Sequence, residues 1–128
     1  MKSTIKCDRL AEPAGPYSAG TRFDRLIFAS GQVGQQPESG QLAGDNLESQ
    51  ARQALTNLLA VVEAGGGSRD TVLKVNCWLL TMNDFATFNT IYKEFFGSES
   101  FPARTCIAVA ELPLGAKVEV EAIAHRMD

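Results

Sequence analysis

The sequence predicts an α+β domain: a mixed β-sheet with two helices packed on one face. Three observations carry that prediction. Two segments repeat apolar residues every three or four positions, and several runs are rich in β-branched and aromatic residues. Within those runs one face is fully apolar and the other mixed. One-sided helices need a surface to cover, and an apolar sheet face supplies it.

Gly15-Pro16-Tyr17-Ser18 and Ser30-Gly31-Gln32 read as turns bearing hydroxyls, with strands expected over 25–30 and 32–36. The Gly/Ser/Pro-containing stretch 35–44 reads as one surface loop. Asp45 is placed to cap the first helix, with Glu48 three residues on as in a capping box. Leu47, Ala51, Ala54, Leu55, Leu58 and Val62 then form its apolar stripe, and Gly65-Gly66-Gly67 stops it. A strand over 71–81 follows, with Leu73, Val75, Cys77 and Leu79 on one face and Lys74, Asn76, Trp78 and Leu80 on the other. The second helix starts at Asn83 or Asp84, carries Phe85, Phe88, Tyr92 and Phe95, and ends before Gly97. Strands over 104–111 and 117–126 complete the pattern. In the last, Val118, Val120, Ala122 and Ala124 oppose Glu119, Glu121 and Ile123. The mixed face, with Trp78 on it, is expected to be covered by another subunit.

The 128 residues, 45% of them hydrophobic, form one domain, 1–128, able to bury a core without staples. Cys7, Cys77 and Cys106 are odd in number, far apart and without ligand spacing, so neither a disulfide framework nor a metal site is expected. No apolar run reaches the length of a membrane span and the first residues lack a secretory pattern. A soluble protein of a reducing compartment is expected, most simply the cytosol. The formal charge of −3 and scattered basic residues weigh against a nucleic-acid partner. With no GxxxxGKS or GxGxxG segment, nucleotide-cofactor chemistry has no motif behind it, and the expectation is an enzyme that works without a cofactor.

In Phe101-Pro102-Ala103-Arg104-Thr105-Cys106 the proline leads into a strand, and alternation puts Arg104 and Cys106 on one face. The guanidinium fork of Arg104 fits a carboxylate or phosphate at two points, although an ordinary salt bridge explains it more simply. Cys106 has no histidine nearby in sequence and reads as a small apolar filler or a backbone contact rather than a nucleophile. Glu119 and Glu121 share a strand face, with solvation as the plain account and proton transfer to water as the functional one. Tyr17 donates to an anion or lays its ring over the core; Gly31 brings a backbone N–H close to a ligand or simply makes a turn. His125, the single histidine, makes a Ser-His-Asp hydrolase unpersuasive. Together these residues point to a small anionic ligand.

Gly15-Pro16-Tyr17-Ser18, Ser30-Gly31-Gln32, Asn83-Asp84-Phe85-Ala86-Thr87, Phe101-Pro102-Ala103-Arg104 and the run from Leu112-Pro113 to Glu119-Val120-Glu121-Ala122-Ile123-Ala124 resemble the RidA/YjgF reactive-intermediate deaminase family, in order and nearly end to end. The resemblance implies a chorismate-mutase-like fold, a homotrimer with intersubunit active sites, and hydrolysis of 2-iminobutanoate and 2-iminopropanoate to 2-oxo acids and ammonia. Such imines escape from pyridoxal-phosphate dehydratases acting on threonine and serine. It also implies that Arg104 binds the carboxylate, Glu119 positions the water, and Tyr17, Ser30, Gly31, Asn89 and Cys106 complete the pocket. Glu111 and the stretch 6–13 depart from the family pattern, the first adding negative charge near the cleft. The family also brings two rival expectations: an endoribonuclease that inhibits translation, and a trimer that binds small acids or unfolded clients without turnover.

Overall fold

Asn46, not Asp45, opens the first helix. Its backbone is extended (φ −109°, ψ 158°) and its side chain accepts from the Ser49 N–H at 2.8 Å. Either residue is a good cap, and the one whose backbone turns just outside the helix does the capping. The computed structural model describes residues 1–97 and 99–128. Its elements are β1 (Ser3–Ile5), β2 (Gly20–Phe23), β3 (Leu26–Val33), α1 (Leu47–Ala64), β4 (Val72–Leu79), α2 (Phe85–Phe96), β5 (Ala103–Ala108) and β6 (Val118–His125).

Among the described residues the strands form one six-stranded sheet in the order β1-β2-β3-β6-β4-β5. The pairings are antiparallel except β4 with β5, which run parallel and are joined through α2. The expected α+β architecture is therefore present, with a mixed sheet.

The stripe Leu47, Ala51, Ala54, Leu55, Leu58 and Val62 is buried against Ile27, Val118, Val120, Ala122 and Ala124. Each fully buried Leu, Ile or Val side chain there contributes about 1.5–3 kcal/mol. Gly65 caps α1, and Gly66 takes φ +100°, a conformation open to glycine at little cost, to turn the chain back toward the sheet. In α2, Phe88, Ile91 and Tyr92 are buried, while Phe85 and Phe95 pack at the margin of the core.

Several expectations need correction. Strands β1 and β2 were not expected; they form the far edge of the sheet. The two strands expected over 25–30 and 32–36 are one strand, β3, and Ser30-Gly31 is a bulge inside it. Ala29 pairs with Ala122 and Gln32 with Val120, so three steps on β3 oppose two on β6. A second irregularity, between Val72 and Lys74, buries Val72 and turns Leu73 out to 45% exposure, against the expected alternation. Strand β5 ends at Ala108 rather than 111.

Two buried amides hold the bulged region to α1. Gln50 donates to the Gly44 carbonyl at 2.9 Å and accepts from the Lys117 N–H at 2.8 Å, two residues before Glu119. Asn57 donates to the carbonyls of Val33 and Gln35 at 3.2 and 2.8 Å. Both amides are nearly fully buried and satisfied, so they fix the end of β3 and the start of β6 relative to one rigid helix. The opposite sheet face carries Phe28 and Ile107, 39% and 48% exposed, together with Trp78, Glu119 and Glu121. It is the mixed face expected from alternation.

Candidate functional site

The expected site residues fall into two groups on opposite sides of the sheet. Arg104 pairs with Val75, which lies in the core under the helices, whereas Glu119 pairs with Trp78 on the open face. Val75 and Trp78 are three residues apart on one strand, so their side chains point in opposite directions.

The first group surrounds the β3 bulge. The bulge carries Gly31 against Glu119 so closely that a methyl group at position 31 would overlap Glu119 Oε2. Ser30 is spent on structure: its hydroxyl donates to the Ser18 carbonyl at 2.7 Å and its N–H to the Ala19 carbonyl at 2.9 Å. That pair ties the Gly15-Pro16-Tyr17-Ser18 segment to the bulge and brings Tyr17, 54% exposed, over the same cleft. The cleft, ≈ 180 Å³, is lined by Tyr17, Gly31, Gln32, Pro113, Leu114 and Glu119. Burial, with repulsion from Glu121 added, raises the Glu119 carboxyl above its ordinary value. Glu121 itself accepts from the Asn76 amide at 2.9 Å.

The second group sits where β5 meets α2. The Arg104 guanidinium lies 4.8 Å from the centre of the Tyr92 ring and 5.5 Å from that of Phe85. It makes no ion pair and no side-chain hydrogen bond among the described residues. Asn89, between those two aromatics on α2, has a buried and unpartnered Oδ1, and so does the Tyr92 hydroxyl. Buried polar atoms are nearly always satisfied, so orphans beside an unpaired arginine mark a place where polar contacts are available to a ligand or partner. Cys106 stands opposite Cys77 in the parallel register. Burial raises both thiols, Cys77 to about 12, with Arg104 opposing the shift. Both shifts favour the neutral thiol, whereas a nucleophile needs the thiolate.

His125 lies six residues along β6 from Glu119, about 20 Å away at strand rise, and its Nδ1 is engaged with the Arg126 carbonyl at 2.7 Å. It belongs to neither group. Gln32, Pro113 and Leu114 were not expected at the cleft, and Phe85 and Tyr92 were expected only as core. Among the described residues no helix is long and apolar enough to cross a membrane, and no group of three or more His, Cys, Asp or Glu is placed to hold a metal ion.

Two expectations follow from this geometry. Gly31→Ala should leave the melting temperature within a few degrees, because the overlapping group is the movable end of a side chain. By displacing Glu119 it should lower activity on the order of 10²-fold, as an ångström-scale misplacement does. A melt and a rate on the same sample check it. If Glu119 is the base, the acid limb of the activity–pH profile should fall above the ordinary carboxylate range, because a base must lose its proton and burial holds the proton on. Glu121→Gln should move that limb toward lower pH but only partway, because burial is the larger cause.

Residues 8–126 match the protein family described as endoribonuclease L-PSP. The 2-iminobutanoate/2-iminopropanoate deaminase of Bos taurus is 47% identical, over 97% of this chain and 90% of its own. A RutC family protein of Pyrococcus horikoshii is 40% identical over 98% and 99% of the two chains. The crystal structure of E. coli TdcF with bound serine is similar at a TM-score of 0.92 and 37% identity, covering 97% of this chain and 98% of that one.

Proposed function

The chain belongs to the endoribonuclease L-PSP family, the family of RidA and YjgF, and from that membership we propose that it is an enzyme hydrolysing 2-iminobutanoate and 2-iminopropanoate at a site shared between two copies of itself. The observation that carries the reading is Arg104: an arginine without an acidic partner among the described residues, in a chain 47% identical to a deaminase of those imines. A small 2-imino acid offers the carboxylate that such a fork binds at two points.

The division of the site residues supports the shared site. One chain presents a carboxylate with a raised proton affinity beside Gly31, and on the other side of its sheet an edge that carries the unpaired Arg104. A homotrimer, in which the edge of one copy meets the cleft of the next, unites them in each interface. Such a ring is a heterologous assembly closed by rotation. The exposed Phe28 and Ile107 on the open face supply apolar surface for that contact.

Arg104 then holds the substrate carboxylate, while backbone groups at Gly31 and Cys106, with Asn89 and Tyr17, surround the imine end. Glu119 takes a proton from water as its oxygen attacks the imine carbon and the C=N π electrons move to nitrogen. The resulting carbinolamine receives that proton on nitrogen. Its C–N bond breaks to release ammonia as the hydroxyl gives its proton to Glu119 and the carbonyl forms, giving the 2-oxo acid; Glu119 then returns that proton to the ammonia, which leaves as ammonium. A protonated imine is already an electrophile, so orientation and one base meet the chemical demand.

The test is a coupled assay in which a threonine dehydratase generates the imine and semicarbazide traps what escapes. Suppression of the trapped product with faster release of 2-oxobutanoate supports the reading; no effect of the protein on either rejects it. The family description also names an RNA-directed activity. The charge of −3 and the lack of interleaved basic and aromatic residues weigh against that activity here.

A further inference from the structure

Arg104 leaves the edge strand β5 toward α2 with no carboxylate paired to it among the described residues, yet its guanidinium has a defined environment. Phe85 and Tyr92 stand seven residues apart, two turns of α2, and so lie on one stripe of the helix. Tyr92 is itself immobilised: it is 5% exposed, and its ring centre is 4.7 Å from that of Phe96 and 5.8 Å from that of Phe88. An acidic neighbour would orient the arginine by occupying its N–H donors and would compete with any anionic ligand. An aromatic face attracts the cation through the ring quadrupole and leaves the in-plane donors available.

We propose that Phe85 and Tyr92 are positioning residues that hold the Arg104 guanidinium against their rings, presenting its N–H fork outward to the ligand carboxylate. This rests on the reading of Arg104 as the carboxylate anchor. The ring and not the hydroxyl of Tyr92 does the holding. The hydroxyl is buried without a partner, and burial raises it further above its ordinary value, so it stays neutral and adds no charge attraction.

The test compares Tyr92→Leu, Tyr92→Phe and Phe85→Leu in the full-length protein, with a melt for each. The half-buried Phe85 provides the second variant should Tyr92→Leu fail to fold. The first readout is the NMR order parameter of the Arg104 Nε–Hε bond without ligand. It should be high in the wild type, fall in both leucine variants, and stay high in Tyr92→Phe. The second is binding of 2-oxobutanoate, expected to weaken about tenfold in the leucine variants and to be restored by Tyr92→Phe, with KM rising more than kcat falls. An unchanged order parameter in the leucine variants overturns the proposal, and so does a fallen one with unchanged 2-oxobutanoate affinity. A wild type that does not bind 2-oxobutanoate rejects the carboxylate-anchor reading instead, and the order parameter still decides whether the rings hold the arginine.

Discussion

Arg104→Ala is expected to lower kcat/KM for imine hydrolysis on the order of 10²-fold or more, because two charge-assisted hydrogen bonds to the substrate carboxylate, each worth about 1.5–3 kcal/mol, are lost together. The fold should tolerate the change. Arg104 carries no ion pair or side-chain hydrogen bond within the chain among the described residues, and what it gives up is its contact with Phe85 and Tyr92. That contact is worth about 0.5–2 kcal/mol. Lysine should restore charge but only part of the rate, since a point charge does not reproduce the planar fork. The check is a steady-state rate beside a melt and gel filtration. A variant that loses its assembly rather than its affinity would make Arg104 structural.

Glu119→Gln should lower kcat by about 10²–10⁴-fold, the usual contribution of a positioned base, with little change in the affinity for 2-oxobutanoate. Its effect on stability has a definite sign. The folded-state pKa of Glu119 is raised, by burial first and by Glu121 second, so the charged carboxylate is less at home in the fold than in the unfolded chain. Stability from this group is complete below the unfolded carboxyl pKa and is lost as the pH rises through the folded one. The glutamine variant should therefore melt at or above the wild-type temperature at neutral pH, and the advantage should vanish on acidification. Melts at two pH values and a kcat measurement on one preparation test both halves.

How far the sequence leads to this site depends on which physical signal each residue carries. Helix α1 is legible because Leu47, Ala51, Ala54, Leu55, Leu58 and Val62 repeat with the helical period between a capping residue and three glycines. The faces of β6 are legible for the same reason, at period two. Strands β1 and β2 leave no such trace: Ser3–Ile5 and Gly20–Phe23 are three and four residues long and largely polar, held by pairing rather than by their own pattern. The Ser30-Gly31 bulge resembles a turn because a glycine that bends a strand and one that ends it have the same composition.

The sequence names candidate site residues without giving their arrangement. Alternation puts Arg104 with Cys106 and Glu119 with Glu121, and the apolar partners on β6 give the face of the second pair, but the face of the first depends on the parallel register of β5 on β4, and no local pattern encodes that register. Tyr92 and Phe85 illustrate the same limit. Their spacing marks the buried stripe of α2 and gives no sign that an arginine from another element rests on it.

The account stands most directly on the sharing of one site by two chains, and subunit complementation measures that. Arg104→Ala and Glu119→Gln proteins, each inactive, are mixed, dissociated and reassembled. In a closed ring of three, each mixed assembly contains one interface with an intact Arg104 from one copy and an intact Glu119 from the next. Random reassembly should therefore restore about a quarter of the wild-type imine hydrolysis. Recovery near that level is the expected result; reassembly that mixes the subunits but restores no activity would contradict the shared site.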